Sequence, residues 1–117
     1  MIVAKDSDLL AIEKSGAYRG YYFVLGGLIP ILEKNPEKKI RMHALTQKLE
    51  RIKTYKEIIF ALSATHEGEH TADTLDELIR KNDQVIKLSR LGRGLSTGLE
   101  IEYSDSDTIK SALQNKF

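Results

Sequence analysis

The sequence predicts an α/β fold, a mostly parallel sheet with helices on both faces. Two observations carry this. Short apolar runs alternate along the chain with segments whose apolar residues recur every three or four positions, the order of strand and helix that builds parallel sheets. The apolar runs are also continuous, as in strands covered on both faces.

Residues 1–4, Met-Ile-Val-Ala, form the first run. A helix is expected to follow, because Asp6 and Ser7 suit its start, Leu9 and Ile12 lie three apart, and Gly16 offers a left-handed stop. Residues 21–25 read as a second strand ended by Gly26-Gly27. Asn35-Pro36 with Glu37, Lys38 and Lys39 is polar and turn-prone, a surface loop. Leu45, Leu49 and Ile52 then mark an amphipathic helix over about 43–53.

Residues 58–62 are the strongest strand, and Ala72, Leu75, Leu78 and Ile79 supply the buried face of the helix after it. A further strand is expected over 84–88, with Val85 and Ile86 at its centre. Gly92, Gly94 and Gly98 punctuate a loop leading to 99–103, where Leu99, Ile101 and Tyr103 alternate with Glu100 and Glu102 like a half-exposed edge strand. The last helix, about 105–115, carries Ile109, Ala112 and Leu113 on one face.

The 117 residues suit one domain, 1–117. A net charge of +1 argues against a strongly electrostatic DNA or membrane binder. The absence of cysteine removes disulfides and thiolate metal sites. No signal peptide is recognisable, and the longest apolar patch is interrupted by Gly26, Gly27 and Pro30, so a cytoplasmic chain with no membrane partner is expected.

In open parallel sheets ligands bind beyond the carboxyl ends of the strands, where Ala4-Lys5-Asp6, Gly26-Gly27, residues 63–70 and residues 89–94 should converge. The pentapeptide His66-Glu67-Gly68-Glu69-His70 lies in this set. It satisfies HExxH, in which two imidazoles one helical turn apart hold zinc and the glutamate deprotonates a bound water, and also the inverted HxxEH form. A metal-dependent hydrolase or nuclease is therefore one reading, with Asp76 as a further ligand. Against it, Gly68 costs a helix about 1 kcal/mol relative to alanine. A continuing helix also carries Asp76 well round from both histidines. The plainer reading is two exposed histidines flanking a helix start.

Several segments, in order, resemble the toprim domain of the bacterial recombination mediator RecR: residues 8–13, Tyr22-Phe23-Val24-Leu25-Gly26-Gly27-Leu28-Ile29, Glu67-Gly68-Glu69 with Thr71-Ala72, Arg93-Gly94-Leu95, and Glu102-Tyr103. The resemblance covers nearly the whole chain and implies a toprim-like, Rossmann-like sheet. Catalytic toprim domains hold magnesium through a glutamate after the first strand and an Asp-x-Asp pair after a later one, because this hard ion takes carboxylate oxygens. Here those positions fall on Ala4, Ser63 and Thr65, which offer no carboxylate.

The resemblance thus implies a non-catalytic interaction module in DNA recombination and repair, without metal or cofactor. Its implied partner is a RecO-like mediator, engaged through Glu67, Glu69 and Arg93. DNA binding is expected to be weak and confined to a larger assembly, since the family's helix-hairpin-helix and four-cysteine zinc-finger segments are not among these residues. The strand of Leu99, Ile101 and Tyr103 is the expected surface for a homodimer. Lys34, Lys38, Lys39 and Arg41 form a basic cluster, but Glu33 and Glu37 interrupt it and it reads as a solvated loop.

Overall fold

The computed structural model describes residues 1–51, 54–83, 85–91 and 106–117. Strands β1 (Ile2–Val3), β2 (Phe23–Val24), β3 (Glu57–Ala61) and β4 (Lys87–Arg90) alternate with helices α1 (Asp6–Ser15), α2 (Met42–Arg51) and α3 (His66–Asn82), and α4 (Ser106–Gln114) closes the order. The strands form one sheet in the order β2-β1-β3-β4, with every pairing parallel. The predicted α/β sheet is therefore present.

The order dictates where the helices go. The chain leaves β1 toward one edge through α1, then returns past β1 through α2 to reach β3 on the other side. Right-handed crossovers in opposite directions put α1 on one face and α2 and α3 on the other. The two cores agree. Ile2, Phe23, Ile58 and Phe60 pack with Leu45 of α2 and Leu75 and Ile79 of α3. Val3, Ile59 and Ala61 pack with Ile12 of α1 and Ile109 and Ala112 of α4. Successive residues of β3 thus feed opposite cores, which is why its sequence is an unbroken apolar run.

Local chemistry departs from expectation in three places. Helix α1 is capped through Asp8, which is buried and accepts from the Lys5 amide at 3.3 Å, rather than through Asp6 or Ser7. Its end is as expected, with Gly16 at φ 69°. Strand β4 begins at Lys87, so Val85 and Ile86 precede it and do not form its centre. The Asp83 carboxylate holds the turn before it, accepting from the amides of Val85 and Ile86 at 2.9 and 3.2 Å, and leaves Val85 92% exposed. Strand β2 is shorter than 21–25, although Leu25 and Gly26 still donate to Val3 and Ala4 at 2.9 and 2.8 Å. The expected strand at 99–103 lies outside the described residues. Among the described residues no helix is long and apolar enough to cross a membrane.

Glu57 ties the amino ends of β3 and β4 to the chain's last residues. Its carboxylate accepts from the Ser89 hydroxyl and, at 3.0 Å, from Lys116 Nζ. Partial burial would raise this carboxyl, but the bonds from Ser89 and Lys116, with the charges of Lys116 and Lys87, outweigh it and hold it below its usual value. A carboxyl whose folded pKa is depressed stabilises the fold above its unfolded pKa and loses that contribution as pH falls through the folded value. We expect Glu57→Gln to lower stability by about 1.5 kcal/mol at pH 7, the lower end of the range for hydrogen bonds to a charged group. The gap between the two proteins should narrow as pH falls below the ordinary glutamate value of 4.5. Urea unfolding of both across this range measures it, and a gap that is independent of pH would contradict the assignment.

Candidate functional site

The chain leaves β1 toward β2 and β3 toward β4, so the topological switch of the sheet lies between the carboxyl ends of β1 and β3. Ala4 and Lys5 follow β1 there, and residues 62–65 follow β3. Thr65, in extended backbone geometry, is the N-cap of α3, its hydroxyl oxygen accepting from the Gly68 amide at 3.1 Å. The Ser63 and Thr65 hydroxyls share a hydrogen bond of 2.9 Å. One turn further on, Thr71 is fully buried, donating to the Glu67 carbonyl at 2.7 Å and accepting from the Ile29 amide at 2.8 Å. The loop after β2 is thereby tied to the start of α3.

Gly68 is buried in the first turn of α3, and a Cβ there would stand 2.0 Å from the Ser63 carbonyl oxygen. This close approach is what demands glycine, since a backbone oxygen has no rotamer to yield. The glycine thus seats α3 directly on the end of β3. Its neighbours Glu67 and Glu69 point outward, and both are exposed on the first turn, where the helix dipole favours negative charge. Neither carboxylate makes a hydrogen bond or ion pair with another described residue. They do not cap the helix; Thr65 does.

His66 and His70 both lie in α3, so the helix required by the HExxH reading exists despite Gly68. The rest of that site does not assemble: among the described residues no group of three or more His, Asp or Glu side chains is placed to hold a metal ion. Asp76, the further ligand of that reading, joins no such group, and Asp73 on the same helix pairs with the Arg90 guanidinium at 2.5 Å. The toprim magnesium set fares no better, because Ala4 has no donor and the Ser63 and Thr65 hydroxyls are spent on each other and on the helix cap. The residues present do not fit that ion.

A cavity of about 180 Å³ opens beside this rim, touching Leu62, Ser63, Glu69, Arg90 and Phe117. It is smaller than the roughly 300 Å³ or more of most small-molecule sites, and the exposed carboxylates stand on an open face. Arg93, predicted to join them, lies outside the described residues, as do Leu99, Ile101 and Tyr103.

A parallel sheet in the order β2-β1-β3-β4, with its switch point between β1 and β3, is the arrangement of the doubly wound α/β folds. The family model for the Toprim domain matches residues 1–92, and the chain belongs to that family. Its relatives narrow the likeness. The chain is 39% identical over 116 residues to the recombination protein RecR of Lactobacillus helveticus, which covers 99% of this chain and 57% of that protein. It is 38% identical over 113 residues to RecR of Maridesulfovibrio salexigens, covering 97% of this chain and 56% of the relative. For RecR of Dehalococcoides mccartyi the values are 41% over 115 residues, 98% and 55%. The chain spans a little over half the length of these relatives.

The seating of α3 makes a sharp prediction. Gly68→Ala should destabilise the protein by about 1–3 kcal/mol, the usual range for overpacking, although alanine is the better helix former. Chemical denaturation measures this, and a variant as stable as the parent would refute the contact with Ser63.

Proposed function

We propose that the chain is a non-catalytic toprim module that serves DNA recombination and repair by binding a partner protein, in the cytoplasm. One observation carries the reading: the rim that holds metal in catalytic toprim domains is here built from Ala4 and two hydroxyls already committed to local bonds, while Glu67 and Glu69 beside it are exposed and unengaged. Likeness to proteins named RecR supports the biological setting. The partner we infer is a RecO-like mediator presenting basic side chains to Glu67 and Glu69, with Arg93 adding a cation at the margin of the surface. Self-association through Leu99, Ile101 and Tyr103 is part of the same proposal.

Surface substitutions at unpartnered positions leave stability within about 0.5 kcal/mol. The double variant Glu67→Ala with Glu69→Ala should therefore fold like the parent yet bind the purified RecO-like mediator roughly tenfold more weakly in calorimetric titration. Undiminished affinity would sink this surface as the partner site.

A further inference from the structure

Among the described residues strand β2 is an edge of the sheet, and its acceptors are covered by Arg41 and Lys48. Arg41 donates from its backbone to the Leu25 carbonyl at 2.9 Å and from its guanidinium to the Val24 carbonyl at 3.2 Å, while Lys48 Nζ reaches the Tyr22 carbonyl at 3.5 Å. Both cations also stand over the Phe23 ring, at 5.1 and 5.7 Å from its centre. An open groove of about 690 Å³ runs here between β2 and α2, lined by Asp6, Arg41, Gln47, Lys48 and Arg51 among others. Gln47, Lys48 and Arg51 fall on one face of α2 through spacings of three and four.

The lining carries three cations against the single carboxylate of Asp6. Arg51 is exposed and makes no ion pair with another described residue. Near one end, Tyr21 is 80% exposed and shares a small adjoining cavity with Lys48. Cations along a groove with an exposed aromatic ring beside them are the elements by which single strands are held, phosphates on the charges and a base on the ring. A peptide adding to the sheet would instead need the carbonyls of Tyr22, Val24 and Leu25, which are already taken.

We propose that this groove binds the backbone of single-stranded nucleic acid, with Arg41, Lys48 and Arg51 on phosphates and Tyr21 stacking a base. The surface is separate from the Glu67 and Glu69 rim and stands or falls independently of it. The test is fluorescence anisotropy of the full chain with a labelled oligothymidylate of about 16 nucleotides. Three phosphate contacts to a single strand predict a slope of log affinity against log salt of about −2. Arg51→Glu and Lys48→Glu should each weaken binding roughly tenfold at low salt, and Tyr21→Ala about fivefold, consistent with the lower range of base stacking. Arg51→Gln, a milder change on an exposed helix face, should lose severalfold with an unaltered circular dichroism spectrum, and Lys14→Gln, which removes an exposed charge from α1 on the opposite face of the sheet, should lose nothing. Salt-independent binding, full affinity in the charge variants, or tighter binding of polyglutamate than of the oligonucleotide would each overturn the proposal.

Discussion

Everything in this fold hangs on β3 being buried on both faces. Ile58 and Phe60 enter one core and Ile59 and Ala61 the other, so a single five-residue strand joins two helical layers. It pairs with β1 on one side and β4 on the other, and at its end it delivers the residues that seat α3. Because side chains alternate along a strand, a slip of one residue in its register would exchange the two cores wholesale. The apolar run 58–62 admits no alternative that keeps polar groups outside. Glu57, the polar residue that opens the strand, is held by Ser89 and Lys116 at the margin where such a residue is tolerated.

The candidate rim follows from what the end of β3 permits. Gly68 lets the first turn of α3 rest on the Ser63 carbonyl, Thr65 supplies the cap, and Thr71 fastens the loop after β2. Once these bonds are made, the hydroxyls standing at the metal positions of a catalytic toprim domain are occupied with architecture. What remains available is electrostatic, namely two carboxylates at a helix amino terminus facing solvent. In the reading proposed above, this is the charge that the rim offers to a partner.

Charge is distributed more sharply than its total implies. A net of +1 conceals an acidic rim and, at the β2 edge, a basic groove. The same cations that line the groove cover the strand's carbonyls, so the edge is protected from adding another strand while presenting charge outward. Composition averages over both surfaces, which is why the net charge argued against a strongly electrostatic DNA or membrane binder. Of the basic residues Lys34, Lys38, Lys39 and Arg41, only Arg41 lines the groove, joined there by Lys48 and Arg51 from α2.

Strands, helices and their alternation were legible because apolar periodicity is a local consequence of how each element meets the core; thus residues 58–62, the buried face of α3 and the stop at Gly16 could be read directly. The loss of acidic metal positions was legible too, since Ala4, Ser63 and Thr65 declare by type that they carry no carboxylate. The start of β4 was not, because the Asp83 turn and the register against β3 set it, whereas Val85 and Ile86 taken alone look like strand residues. Nor could sequence tell that Gly68 is required by the Ser63 carbonyl, that Asp8 rather than Asp6 caps α1, or that Arg41, Lys48 and Arg51 share one edge. Local pattern determines which elements form, but contacts between residues distant along the chain are decided only when packing brings their atoms together.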